Sequence, residues 1–314
     1  MPPTASAVIF EGPRLLSTRE LGLMTPGPAD VFVRTIYSGI STGTERLFYT
    51  GEMPSFPGMG YPLVPGYETV AEVIEAPVSS GLRAGDRVFV PGANCYGEVK
   101  GLFGGAASHI VTAAHRVLPI DPALELDGVL FALAATAHHA VRAPGAALPD
   151  LIIGHGALGR LIARVACAYG GDPIVWELNA ERRDSDGQYE VIAPERPTRR
   201  RFNTIVDASG FGNGIDGWID ALAPRGELVL AGFYTQRLSF DFVPTFLRES
   251  RIRIAAQWQP QDLEAVRQLV LDGELSLADI VTSRSPAAEA TEAYRKAFED
   301  PHCLKMVLDW SATR

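Results

Sequence analysis

A glycine-rich turn, Gly154-His155-Gly156-Ala157-Leu158-Gly159, stands between the apolar run Leu151-Ile152-Ile153 and the helix-like stretch Leu161-Ile162-Ala163-Arg164-Val165-Ala166. Glycines at this spacing, with a strand before and a helix after, form a cradle for the pyrophosphate of a dinucleotide. Gly154 permits the tight turn, Gly156 removes a side chain where phosphate must approach the backbone, and Gly159 lets helix and strand pack closely. The backbone of His155, Ala157 and Leu158 completes the turn, and the helix start then offers free N–H groups and a positive dipole end. His155 matters here for backbone geometry and has no proton role. Eighteen residues beyond Gly159, Glu177 ends a second apolar run, Ile174-Val175-Trp176. A carboxylate there accepts hydrogen bonds from a ribose diol and repels a 2′-phosphate, which favours NAD over NADP. Arg182 is a candidate flank for the adenosine ribose, with a solvated helix-start arginine as its alternative. A buried turn without a ligand is the alternative for the glycines.

Before residue 128 the chain reads as short strands between Gly/Pro turns: Ala7–Phe10, Val31–Ile36, Thr69–Ile74 and Arg87–Val90. From Gly128 strands and helices alternate, with strands expected at Leu151–Ile153, Ile174–Trp176, Thr204–Val206, Glu227–Ala231 and Arg251–Ala255. The fold class is therefore α/β, a β-rich half followed by a parallel sheet with crossover helices. The expected division is 1–127, 128–260 and a return segment 261–314 with two amphipathic helices and a last strand at Lys305–Leu308. Between Glu177 and Phe202 the Pro-broken segment Pro194–Arg201 is too short for a crossover helix, so the nucleotide domain is trimmed there.

With 314 residues, 46% of them hydrophobic, the chain can bury two modest cores. A net charge of -9 provides no basic surplus to displace counterions, which argues against a nucleic-acid partner. The only dense basic run, Arg196, Arg199, Arg200 and Arg201, lies among prolines and reads as a solvated loop. Three scattered cysteines, Cys95, Cys167 and Cys303, suit neither a disulfide framework nor a four-thiolate zinc lobe, and imply a reducing compartment. The N-terminus carries no secretory pattern, and the most apolar window, Val129–Val141, is too short to span a bilayer. A cytoplasmic location is expected, with loose membrane contact left open.

The order of a β-rich half, a dinucleotide fold and a return segment resembles the medium-chain dehydrogenase/reductase superfamily. Its glycine-His-Glu motif appears as Gly66-Tyr67-Glu68, its Gly-Asp-Arg-Val turn as Gly85-Asp86-Arg87-Val88, and a second-half element as Asp207-Ala208-Ser209-Gly210. Within it, the chain is similar to the bacteriochlorophyllide dehydrogenase family over the stretches Ser38–Glu45, Phe56–Glu68, Gly101–His109 and Cys303–Met306. The resemblance implies a GroES-like catalytic domain and a Rossmann-type NAD-binding domain. It also implies a bacteriochlorophyllide-type tetrapyrrole substrate, whose 3-(1-hydroxyethyl) group is oxidised to 3-acetyl in bacteriochlorophyll synthesis. By the same match Thr136, Ser209, Gly210 and Phe233 are candidate cofactor contacts.

The departures from zinc-dependent relatives bear on mechanism. Ser41 stands where they carry a cysteine, Tyr67 where they carry a histidine, and Phe131-Ala132-Leu133-Ala134 occupies the third-ligand region. These do not supply three nitrogen, sulfur or carboxylate donors, so neither catalytic nor structural zinc is expected. Oxidation of an alcohol still needs a group to take the hydroxyl proton. Tyr67 is the first candidate, its alternative being a packed core tyrosine; Ser41 and Thr44 are candidate relays or plain turn residues. Glu68 is either a tuning acid or a buried acid paired with an arginine such as Arg46. His138 and His139 lie on a small-residue helix, as candidate proton acceptor, ligand to the substrate's magnesium, or satisfied core histidines; His109 has a weaker claim.

The aromatic and methionine-rich stretch Leu47–Tyr61 offers faces for a flat macrocycle, or closes the barrel core. Two other functions fit the same residues: a zinc-free enone or quinone reductase, and a non-catalytic pigment or nucleotide-binding protein. The run Arg251–Ala256 reads as an edge strand, which in this superfamily pairs across a two-fold axis and implies a homodimer. Arg251 and Arg253 are the counter-signal, since charges guard edges against pairing.

Overall fold

A computed structural model describes residues 2–184, 187–194 and 201–312. The chain forms two compact units, 1–132 with 277–314, and 133–276.

In the first unit the strand Asp30–Ile40 organises a seven-stranded sheet. Val31 and Val33 alternate inward, as a half-buried strand requires, and are inaccessible to water. One edge of this long strand is shared: its first residues pair with His109–Ala113 and its last with the C-terminal strand Met306–Asp309, where Met306 faces Ile40. Its other edge pairs with Thr69–Glu75, Ser38 facing Thr69. Strand Thr69–Glu75 begins where Tyr67 and Glu68 end, and Asp30–Ile40 runs into Ser41. That pairing brings Ser41 and Tyr67 to one end of the sheet. A second sheet of four strands contains Thr4–Gly12, paired antiparallel with the half-exposed Leu15–Gly22.

The stretch Leu47–Tyr61, expected as loop, begins inside a short helix, Thr44–Thr50, which Gly51 closes at φ 80. Its side chains divide between the two roles the sequence leaves open. Phe48 and Met53 are buried in a cluster with Phe10, Tyr294 and Trp310, and Tyr49, Met59 and Tyr61 pack on its margin. Phe56 remains exposed.

The second unit holds six parallel strands in the order Glu190–Ile192, Ile174–Trp176, Leu151–Ile153, Phe202–Asp207, Leu222–Leu230 and Arg251–Ile254. In chain order within this sheet that is 3-2-1-4-5-6, the Rossmann arrangement, with the order reversing at Leu151–Ile153. Between Ile174–Trp176 and Glu190–Ile192 the described residues carry only the single turn Ala180–Arg182, too short for a crossover helix. Arg196, Arg199 and Arg200 lie outside the described residues, and Arg201 is exposed.

Helix Pro260–Leu271 belongs to this unit, whereas the sequence pattern assigns it to the return segment. The reason is Asp262, which accepts N–H bonds from His138 and His139 on helix Phe131–Val141 and from the backbone of Gln259. Amphipathicity alone does not reveal which sheet a helix covers. No described helix is long and apolar enough to cross a membrane.

Candidate active site

The second unit carries the dinucleotide features at the carboxyl ends of its strands, where such sheets bind ligands. Gly154 has φ +93, a conformation L side chains rarely adopt, and a Cβ on Gly159 would lie 1.9 Å from the Gly154 carbonyl oxygen. Gly156 faces open space and caps the helix Ala157–Ala168, so nothing obstructs an anion at its N–H groups. Ala157 and Leu158, half-buried, form its first turn.

Glu177 is fixed in front of this turn: its Oε2 accepts the His155 N–H at 2.8 Å and its Oε1 the Asn179 N–H at 2.7 Å. Each carboxylate oxygen retains acceptor capacity for a diol. The His155 side chain points away into the fold, donating from Nδ1 to the Arg182 carbonyl at 2.6 Å and accepting the Tyr189 hydroxyl at Nε2. Burial pushes its pKa down, so it stands as a neutral strut between turn and loop. Arg182 thus contributes a backbone carbonyl, while Arg183 closes the loop on the Glu177 and Leu178 carbonyls.

Sequence motifs single out Ser209 and Gly210, but the residue that shapes them is Asp207. Its carboxylate accepts the Ser209 N–H and hydroxyl at 3.0 and 2.5 Å, the Gly210 N–H at 3.2 Å and the Tyr234 hydroxyl. Burial raises its pKa. The turn so made lies beside Gly154, and the Phe233 carbonyl approaches Gly210 from the next strand end, its ring exposed. Thr136 is half-buried on helix Phe131–Val141.

In the first unit Tyr67 and Ser41 meet. The Tyr67 hydroxyl bonds Ser41 Oγ at 2.7 Å, and Ser41 Oγ also accepts the Thr44 N–H at 3.3 Å. Burial and the nearby Glu68 charge raise the Tyr67 pKa well beyond the ordinary phenol range, so it keeps its proton at neutral pH. The ring of Phe103 stands edge-on to Tyr67, centroids 5.5 Å apart, and is 39% exposed.

Glu68 does not pair with Arg46, which is exposed. Its partner is Lys305, whose Nζ lies 2.7 and 3.0 Å from the two carboxylate oxygens and donates to the Ile40 carbonyl at 3.2 Å. Both side chains are all but sealed from water, 2% and 0% exposed. A lysine inside the apolar run Leu304–Leu308 was the available signal, since lysine is rarely buried unpaired. Glu45, which ends the stretch Ser38–Glu45 but is given no role by the sequence, is buried against Ser41 and Tyr294.

The remaining histidines are bound elsewhere. His138 uses both ring nitrogens, on Asp262 and the Tyr169 hydroxyl, and His139 donates from Nδ1 to Asp262 at 3.0 Å. His109 stacks on Phe32 and bonds Ser108. Among the described residues no three His, Cys, Asp or Glu side chains converge as a metal site. Near Ser41 and Tyr67 the donors are hydroxyls and two carboxylates, Glu68 held by the Lys305 ammonium and Glu45 by the Ser41 N–H and the Tyr294 hydroxyl, a poor set for zinc.

Replacing Lys305 by Met leaves the Glu68 carboxylate buried and unpaired, and should cost about 3–5 kcal/mol. Adding Glu68→Gln should restore much of that stability, because the stranded charge is then gone. Urea unfolding of the single and double variants checks both values; a single-variant loss below about 1 kcal/mol would place the pair with exposed ones.

The family model of the alcohol dehydrogenase GroES-like domain matches residues 27–122. The chain is 56% identical to the 2-desacetyl-2-hydroxyethyl bacteriochlorophyllide A dehydrogenase of Cereibacter sphaeroides, over 98% of this chain and 99% of that protein. It is 57% identical to the protein of the same name from Rhodobacter capsulatus, over 96% and 97% of the two chains. Among solved structures, L-idonate 5-dehydrogenase from Escherichia coli superposes with a TM-score of 0.85 at 16% identity, covering 98% of this chain and 99% of that one. The β-rich unit, the Rossmann unit and near-full-length identity agree: the chain belongs to the 2-desacetyl-2-hydroxyethyl bacteriochlorophyllide A dehydrogenase family of medium-chain dehydrogenases/reductases.

Proposed function

We propose that the protein oxidises the 3-(1-hydroxyethyl) group of a bacteriochlorophyllide to 3-acetyl, with NAD as hydride acceptor and no catalytic metal. Membership of the family carries the substrate class, since the relatives' name specifies a hydroxyethyl bacteriochlorophyllide. The Tyr67–Ser41 hydroxyl pair carries the chemistry.

The cofactor of such a dehydrogenase is a nicotinamide nucleotide, which when bound supplies the hydride acceptor. Gly154, Gly156 and Gly159, with the backbone of His155, Ala157 and Leu158, hold its pyrophosphate, and Glu177 takes the ribose diol. Ser209, Gly210, Phe233, Thr136 and the Arg182 segment complete the cofactor contacts. Two N–H bonds keep the Glu177 carboxylate at the turn, where a 2′-phosphate meets like charge.

As the alcohol carbon gives up hydride, its hydroxyl proton passes to the Tyr67–Ser41 pair, which gives up a proton in turn to solvent water. Tyr67 holds its own proton too firmly to wait as phenolate, so it acts as a hydroxyl relay with Ser41 and Thr44 and as a hydrogen-bond donor to the forming ketone. Glu68, neutralised by Lys305, fixes the backbone next to Tyr67 without drawing the proton itself. His139, tied to Asp262, has no part in this scheme and holds two helices together. The exposed faces of Phe103 and Phe56 offer an apolar wall to a macrocycle.

The homodimer reading also rests on the second unit. Among the described residues, strand Arg251–Ile254 pairs on one side only, with Leu222–Leu230. Ile254 on it, and Phe242, Phe246 and Leu247 on the adjoining helix, are exposed. Arg253 is turned inward to Glu227 and the Ala140 carbonyl, so it does not guard that edge. A second copy covering this face gives a dimer, and a monomeric mass in light scattering at micromolar protein would overturn it.

Purified protein should convert 3-(1-hydroxyethyl) bacteriochlorophyllide a to the 3-acetyl product with NAD in preference to NADP. Glu177→Ala should weaken NAD and narrow that preference; faster wild-type turnover with NADP would reject the role of Glu177. Tyr67→Phe removes one hydroxyl at constant ring volume and should lower kcat by roughly 10²–10⁴ with NAD affinity retained. Near-normal turnover by that variant would remove Tyr67 from the mechanism.

A further inference from the structure

Glu45 is a buried acid with no part in the chemistry assigned so far. It lies in the first turn of helix Thr44–Thr50 and is 1% exposed. Its Oε1 accepts the Ser41 N–H at 3.0 Å, and its Oε2 accepts the Tyr294 hydroxyl at 2.7 Å from helix Ala290–Glu299. Ser41 is therefore held at two atoms: its N–H by Glu45, its Oγ by Tyr67. The two donors arrive at different oxygens, which a carboxylate accepts together, whereas a glutamine amide has one acceptor oxygen and would turn its NH2 on a donor. The bonds therefore hold a carboxylate, with its negative charge, beside Ser41 against the cost of burying it.

We propose that Glu45 is a positioning residue of the oxidation: its carboxylate fixes Ser41 and places a negative charge beside the Tyr67–Ser41 hydroxyl pair, which draws the substrate's hydroxyl proton into that pair. The proposal rests on the proton-transfer role given to Tyr67. Glu45 exchanges no atom with the substrate. The alcohol O–H bond breaks and its proton enters the hydroxyl pair, which releases one of its own protons to solvent water; the C–H bond breaks as hydride leaves for the nicotinamide, and the carbon–oxygen double bond forms.

The charged and titratable groups that bear on Glu45 are Tyr294 from the return helix, Glu68 beside Tyr67, and Lys305 from the C-terminal strand. Burial pushes its pKa up to about 7; the Tyr294 and Ser41 hydrogen bonds and Lys305 favour its ionised form, and Glu68 opposes it. As pH falls through that value the carboxylate is protonated and its field is lost, so oxidation should slow on the acid side.

The test is the pH profile of kcat with saturating NAD and hydroxyethyl bacteriochlorophyllide, measured with NAD affinity and thermal midpoint for full-length wild type, Glu45→Gln and Tyr294→Phe. Wild type should lose activity below about 7. Glu45→Gln should abolish that limb and lower the plateau roughly ten-fold, the effect of one pKa unit. Tyr294→Phe removes a bond that favours the carboxylate and should move the limb to higher pH, an outcome that decides the matter even if Glu45→Gln folds poorly. An unchanged limb in both variants, with only the thermal midpoint lowered, would overturn the proposal. Wild type inert toward this substrate would instead overturn the proposed function, and near-normal Tyr67→Phe turnover the proton role on which Glu45 depends.

Discussion

The ammonium of Lys305 rests on the carboxylate of Glu68 where water cannot reach either, and the end of the first unit that carries Tyr67 and Ser41 is arranged around that contact. Separating two such charges leaves one stranded in a low-dielectric interior, so the segments that carry them are held in one geometry. Lys305 leads into the strand Met306–Asp309, Glu68 follows Tyr67 directly, and the Ile40 carbonyl bound by the same ammonium precedes Ser41. One buried cation therefore joins the last strand to the two residues whose hydroxyls meet. Trp310 reinforces the junction by donating from its indole to Ser38 Oγ.

The second unit depends on backbone geometry in the same way that the first depends on charge. Gly154 and Gly159 bring turn and helix so close that any side chain at Gly159 would collide with the Gly154 carbonyl. His155, neutral and buried, ties that turn to the loop bearing Glu177, and Asp207 gathers the N–H groups of Ser209 and Gly210 beside it. The polar groups that would meet a cofactor are thus held by other polar groups beneath them, which lowers the entropy lost on binding.

What the sequence made legible were features in which a local physical demand selects a residue type. The glycine turn is one, because the backbone at Gly154 and Gly159 leaves no place for a side chain, and the strands Arg87–Val90 and Ile174–Trp176 are others, bounded by turn residues. Helix Thr44–Thr50 was hidden by the glycines and prolines that surround it. Glu68 and Lys305 are 237 positions apart, and Glu45 and Tyr294 are 249 apart, so no window of sequence contains either pair. The chain order shows that a return segment exists, but register decides which of its residues face the site. Asp262 illustrates the same limit: its pattern marks a helix start, while its partners His138 and His139 decide which unit the helix joins.

At the centre of this account is the proposal that the Tyr67 and Ser41 hydroxyls serve the oxidation without a metal. The most direct measurement is turnover of hydroxyethyl bacteriochlorophyllide with NAD by enzyme from which zinc has been exhaustively chelated, the substrate's own magnesium being checked by its absorption spectrum. Activity should survive in protein holding no stoichiometric zinc. Loss of activity on chelation, restored by added zinc while the substrate remains intact, would contradict the account.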